Sequence, residues 1–431
     1  MSRYKRYERY KDSGVEWIGE IPEEWDLSKI KYIPKYEYKS FVDGDWIESP
    51  YITDEGIRLI QTGNIGIGSY KEQGYRYISE DTFKDLNCTE VYPNDVLICR
   101  LAGPVGRACL APSLTERMIT SVDVCILKPK DNIDRRYLVY ILSYDGYLQE
   151  ADFLARGGTR QRISRTQLGN INILLPPTDQ QKSIANFLDQ KTAEIDGLIA
   201  DKEKLIELLQ EKRQAIITET VTKGLNPNVK MKDSGIEWIG EIPEHWNTSS
   251  LRWYVSIKSG DFISQEDIDV EGKIPVIGGN GLMSYTNKTN CNYKTIAIGR
   301  VGALCGNVHL IRRPSWITDN ALFITNLSNK LYIEYLFYVL KALDLNQYAN
   351  KTAQPLISGS LVKSRIIPIP PIVEQAAIAD FLDQKTAEID DLITEIKLQI
   401  QKLKEYRQSL ISEAVTGKID VREFGSISEV I

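Results

Sequence analysis

The stretch "FLDQKTAEIDGLI", residues 187–199, returns as "FLDQKTAEIDDLI" at 381–393, with one of thirteen positions changed. A double proline precedes each copy, in "LLPPTDQQ" at 174–181 and "PIPPIVEQ" at 368–375. Proline suits the first turn of a helix and not its interior, so each double proline predicts a helix entry. Beyond the entries, apolar residues recur every seven positions. Leu188, Ile195, Leu209 and Ile216 hold one register, broken at Lys202, with Ile184, Leu198 and Leu205 assigned to the companion position. In the second copy Leu382, Ile389, Ile396, Leu403 and Leu410 hold it unbroken. Ile378 and Leu392 take the companion position there, and Gln399 interrupts it. That period, with charges on the outer faces, is a coiled-coil seam. Each segment is long enough for a helix of about 66 Å. A lone exposed helix of that length is marginal in water. Two in one chain can cover each other, and the domain between them leaves room for an antiparallel pair. An intermolecular coiled coil is the other solution.

A second duplication lies upstream of each helix. "KDSGVEWIGEIPEEW" (11–25) recurs as "KDSGIEWIGEIPEHW" (232–246), differing at two of fifteen positions. The order is therefore signature, variable region, double proline, helix, and then all of it again. The period is too long for a solenoid unit. It divides the chain into a first domain (1–178), a helical region (179–225), a second domain (226–373), and a second helical region with a tail (374–431). "KGLNPNVK" at 223–230 ends the first helix and forms the linker.

The variable regions, about 33–173 and 255–367, share a skeleton beneath their differences. "DVLICRLAGPVGRACL" (95–110) parallels "TIAIGRVGALCGNVHL" (295–310), and "RRYLVYIL" (135–142) parallels "IEYLFYVL" (333–340). Short Val/Ile/Leu runs broken by Gly, Asn and Pro read as strands, and 135–150 and 331–345 as helices. Each region is thus expected to be a mixed α/β (α+β) domain with an irregular sheet.

A tandem pair of diverged α/β domains, each ending in "PP…Q…I…FLD", resembles the specificity subunit of type I restriction–modification systems. "SG…EWIGEIPE.W" also resembles the start of many such subunits. The likeness covers essentially the whole chain. It implies two target-recognition domains separated by an antiparallel coiled coil, with an internal pseudo-twofold repeat. It further implies binding to double-stranded DNA, two modification subunits that use S-adenosylmethionine, and restriction subunits that use ATP and Mg. Those cofactors would belong to the partners, and this chain would carry none.

Composition sets limits of its own. No run approaches 18 apolar residues and the N-terminus lacks a signal-peptide core, so a cytoplasmic location is the default expectation. Six scattered cysteines and two histidines make a zinc site improbable and suit buried thiols in a reducing compartment. The net charge of −6 argues against nucleic acid as a partner. The average conceals two acid-free basic stretches, 153–178 and 272–318.

Catalytic motifs are missing from the sequence. The double prolines lack the Asn or Asp that an adenine methyltransferase places before them and the aromatic residue that follows. No phosphate-cradling glycine loop is present, and the histidines stand alone. The chain reads as a non-catalytic binder.

A DNA reader needs cations for phosphates and a few Arg, Lys, Asn or Gln side chains for base edges. Arg156, Arg160, Gln161, Arg162 and Arg165 meet this need in the first domain. Asn350, Lys351 and Gln354 take the matching loop of the second, with Lys288, Lys294, Arg312 and Arg313 in its basic stretch. Arg100 and Arg300 occupy matched strand ends, with Arg107 beyond the first. For the matched pair, phosphate contact and pairing with carboxylates are both open. The signature cluster, Trp17, Ile21 and Trp25 with Trp238, Ile242 and Trp246, is ringed by glutamates. It is expected to dock each domain onto the helices or onto a partner, or to serve as plain core. A coiled-coil scaffold that never touches DNA is the competing reading.

Overall fold

A computed structural model describes residues 4–155, 161–350 and 355–424. The chain forms two compact units. One takes residues 1–201 and 399–431, and the other takes 202–398. Each unit holds one variable domain and one part of each long helix, so the helices are shared out between the units.

The two domains have the same topology. In the first, an antiparallel sheet runs in the order Phe41–Asp43, Val124–Leu127, Val96–Cys99, Ala108–Leu110. A three-stranded sheet orders Tyr77–Ile78, Ile57–Ile60 and Met118–Thr120. The second domain repeats both. Its larger sheet orders Val255–Ser259, Ala321–Leu327, Thr295–Gly299 and Val308–Ile311, and its smaller one Gly281–Thr286, Ile274–Gly278 and Trp316–Ile317. The central strands are buried along their whole length, as the continuous runs "VLIC" and "TIAIG" require. A two-stranded pairing closes each domain: Asn172–Leu175 on Asp26–Lys29, and Ile366–Ile369 on Asn247–Ser250. The strand before each double proline is thereby tied back to the signature.

The long helices span Thr178–Lys223 and Ile372–Val415, each starting directly after its double proline. Within each unit the helical segments run antiparallel. In the first unit Lys191 lies over the Phe424 ring at one end, while Asp196 meets Arg407 at 2.9 Å further along. In the second, Arg213 meets Asp390 at 3.4 Å, while Lys223 and Ile378 line one cavity of about 380 Å³.

The seam differs from expectation in one respect. Leu188, Ile195, Leu382, Ile389 and Ile396 are buried, and Leu209 and Leu403 are half-buried. Leu198, Leu205 and Leu392 are 44–50% exposed and lie off the seam. Ile199, Ile393 and Ile400 are buried instead. Ile184 and Ile378 are buried as expected, but beyond these helix starts the companion position follows the main register by four residues, not three. Of each neighbouring pair, Leu198–Ile199 and Leu392–Ile393, the helical period admits only the second.

Candidate nucleic-acid interface

In both domains a central strand of the larger sheet ends at an arginine, turns, and returns as the edge strand. Arg100 ends Val96–Cys99. It is buried, with Nη2 donating to the Val122 carbonyl at 2.6 Å and Nε 3.3 Å from the Asp43 carboxylate. Asp123 stands 3.9 Å from Nη2 and binds Arg162 Nε at 2.8 Å, and Arg165 reaches Asp43 at 3.7 Å. Three arginines thus share two carboxylates at the strand ends. Of the two readings of Arg100, pairing with carboxylates is the one realised.

Arg107 corrects an expectation. It is buried, and its guanidinium donates to five backbone carbonyls: Ile65, Leu101, Ala102, Pro104 and Thr62. Every nitrogen is committed to backbone carbonyls, of the turn or of residues 62–65, and the group is buried away from any phosphate.

The second domain keeps the backbone of this site and changes its charges. The Arg100 amide donates to the Asp123 carbonyl, and that of Arg300 to the Asn320 carbonyl. Ile163 donates to the Arg100 carbonyl, and Ile357 to that of Arg300. Arg300 Nη1 meets Ser259 Oγ at 3.2 Å and the Asp319 carbonyl at 3.4 Å. Ser259 and Asn320 therefore stand where the first domain has Asp43 and Asp123. Among the described residues, Arg300 is half-buried and has no carboxylate partner. Gln161, Arg162 and Asn350 are exposed beside these strand ends. Arg156, Arg160, Lys351 and Gln354 lie outside the described residues.

The basic stretch 272–318 is not one surface. Lys294 precedes the strand Thr295–Gly299 and Arg300 follows it, so they sit at opposite ends, about 20 Å apart. Arg312 ends the antiparallel neighbour and lies at the Lys294 end. Lys294 pairs with the buried Glu334, and Arg312 reaches Glu334 at 3.8 Å and Asp383 of the second long helix at 3.5 Å. The expected DNA contact by these two is corrected: they sit where the domain meets the helix. Lys288 pairs with Asp267 at 2.7 Å, and Arg313 is exposed.

Residues 23–208 and 243–402 match a family described as type I restriction modification DNA specificity domain. The chain belongs to that family. The type I restriction enzyme MjaVIII specificity subunit of Methanocaldococcus jannaschii is 26% identical over 436 residues, 93% of this chain and 94% of that one. The EcoKI specificity subunit of Escherichia coli is 20% identical over 457 residues, 93% and 90% of the two chains. A chain solved in work on complex assembly and conformational transition of the type I R-M system shares the fold. Its TM-score is 0.70 at 14% identity, covering 92% of this chain and 98% of that one.

The signature shared by the two repeats docks each domain on the helices. Trp25 and Trp246 are fully buried. The Trp25 indole donates to Gln180 at the start of the first helix, and the Trp246 indole to Glu374 at the start of the second, each at 2.9 Å. Ile21 and Ile242 are buried beside them. The two tryptophans tie domain to helix, and the burial of all four leaves no face for another subunit. Trp17 stacks on Tyr144, and Trp238 donates to the Ile366 carbonyl; both stay half-buried.

Sequence reading missed the polar half of this clasp. Gln181 and Gln375 are buried. Each accepts from a backbone amide, Asp134 or Tyr332, and donates to the carbonyl of the first proline of its pair. Asp189 accepts from Tyr140 at 2.8 Å and Arg136 at 2.6 Å. Asp383 accepts from Tyr338 at 2.6 Å. The signal was available, since both glutamines and both aspartates stand in the duplicated text.

Proposed function

We propose that this specificity-family chain reads a bipartite, asymmetric sequence in double-stranded DNA, with each variable domain binding one half. The observation that carries this is a pair of identical strand-end frames holding different side chains. A frame fixes where a reader stands; Arg162, Arg165 and Gln161 in one copy and Arg300 and Asn350 in the other would read different bases. The acidic total is no obstacle, because local potential and not net charge governs phosphate contact.

The long helices would act as a ruler. Two readers on one face of B-DNA stand about 34 Å or a multiple of it apart, and a helix pair holds a spacing more stiffly than a flexible linker does. Two modification subunits, and restriction subunits in the full complex, would assemble around them. Leu198, Leu205 and Leu392, exposed on the helices, suit such contacts. Among the described residues no group of His, Cys, Asp or Glu is placed to hold a metal. S-adenosylmethionine, ATP and Mg would bind the partners. No described helix is long and apolar enough to cross a membrane.

The test has two parts. The chain assembled with modification subunits is titrated with DNA at several salt concentrations, and modified adenines are then mapped. A linear fall of log affinity with log salt is expected. A seven-residue insertion within 195–215, matched in the opposing helix, should lengthen the spacer between half-sites. A flat salt response would favour a scaffold that never touches DNA. An unchanged spacer would remove the ruler.

A further inference from the structure

A five-residue stretch recurs at matched places: Asp43-Gly44-Asp45-Trp46-Ile47 and Ser259-Gly260-Asp261-Phe262-Ile263. Each leaves the first strand of its larger sheet, and in each the backbone is pinned. Gly44 donates to Val124 at 2.9 Å and Asp45 to Thr120 at 2.8 Å; Gly260 donates to Ala321 and Asp261 to Ile317, both at 3.0 Å. A Cβ at Gly44 would lie 2.4 Å from the carbonyl oxygens of Thr120 and Ser121. At Gly260 it would lie 2.2 Å from that of Ile317. Only glycine permits so close an approach of two backbones. Each aspartate is held by a hydrogen bond: half-buried Asp45 accepts from the Thr89 amide and exposed Asp261 from the Asn290 side chain, each at 2.8 Å. Ile47 packs toward the core and Ile263 is buried. The aromatic between them stands outward, Trp46 70% and Phe262 75% exposed.

The position matters as much as the exposure. Asp43, which opens the first stretch, pairs with Arg100 and Arg165. Ser259, which opens the second, meets Arg300. Each aromatic therefore stands three residues along a pinned turn from the side chain that meets a strand-end arginine. Tyr36 and Tyr38 are more exposed still, but they lie in a segment before Phe41 that the second domain lacks. Indole has an N–H and phenyl has none, so a shared hydrogen bond cannot be the common property. A planar apolar face is. On a turn that leaves the strand ends where DNA is proposed to be read, such a face suits a nucleobase, which offers its own π-face once it is partly unstacked.

We infer that Trp46 and Phe262 each stack on a base of the half-site their own domain reads. This rests on the DNA-reading function proposed above. Once the target is mapped, duplexes carrying 2-aminopurine at adenines or pyrrolocytosine at cytosines of each half-site are bound by the assembled complex. Wild-type binding should raise fluorescence at one position per half-site. Trp46→Ala should abolish the rise in one half-site and weaken binding by about ten- to hundredfold. Phe262→Ala should do the same in the other half-site. Trp46→Phe should keep both signals, which separates loss of stacking from loss of fold. Alanine variants that bind like wild type would overturn the inference. So would variants that lose modification subunits yet keep the fluorescence change, because the aromatics would then be protein contacts. A wild-type complex with no salt-dependent DNA binding would instead remove the underlying function, and the inference with it.

Discussion

The turn after Arg100 and the turn after Arg300 share one backbone and differ in what they do with charge. In the first, Arg100 is buried against Asp43 and Asp123, and Arg107 is spent on five carbonyls. In the second, Ser259 and Asn320 replace the two acids, and Asn307 replaces Arg107, its side-chain amide donating to Asn280. The first turn uses cations as internal braces. The second leaves Arg300 with a charge that no carboxylate balances among the described residues. One frame can thus be rigid through buried charge in one copy and carry an available charge in the other. Matched position does not mean matched role.

Arg107→Ala should break this contrast most strongly. Removing the guanidinium strands several buried carbonyls, so the first unit should lose at least about 3 kcal/mol in denaturant unfolding. Asn307→Ala should cost under about 1 kcal/mol. A similar loss in both would mean that the turns are braced alike. Where the repeats agree, the effects should agree. Tyr140→Phe and Tyr338→Phe each remove a hydroxyl from a carboxylate, Asp189 or Asp383, and should each cost about 1–2 kcal/mol. Salt sharpens the difference at the turns. Arg300→Ala should lower the slope of log affinity against log salt by about 0.9 for one phosphate contact. Arg100→Ala should leave the slope in place and lower stability, because it uncovers two carboxylates.

The smallest effect concerns pH. On the edge strand His309 occupies the place of Cys109. Burial, and then the charge of Lys341, hold the His309 imidazole below its usual value of 6.5. Burial pushes the Cys109 thiol up to about 12. A depressed folded value means that protons bind the unfolded chain first. The second unit's stability should therefore be complete above about pH 6.5 and decline as pH falls from there toward the lowered folded value. His309→Cys should flatten that decline in pH-dependent unfolding, and the first unit should show no such step from Cys109.

Much of the fold was legible because the chain spells it twice. The double prolines marked the helix entries, and the Val/Ile/Leu runs marked the central strands. The companion position of the seam was not legible. Leu198–Ile199 and Leu392–Ile393 offer two apolar neighbours, and only the packing of one helix on another selects between them. The fate of the arginines was hidden for a related reason. A charge count along 272–318 cannot tell that a strand carries Lys294 to one end and Arg300 to the other. Nor can it foresee that Asp43, far away in sequence, arrives beside Arg100. Trp46 and Phe262 escaped notice because their shared stretch is only five residues long, and its common backbone shows only in three dimensions.

The central claim is that each variable domain reads one half-site independently. It is tested most directly by replacing residues 255–367 with the matching domain of another family member and mapping modified adenines in DNA exposed to the assembled complex. One half-site should change while the other half-site and the spacer stay as they are. A change in both halves, or in neither, would contradict the claim.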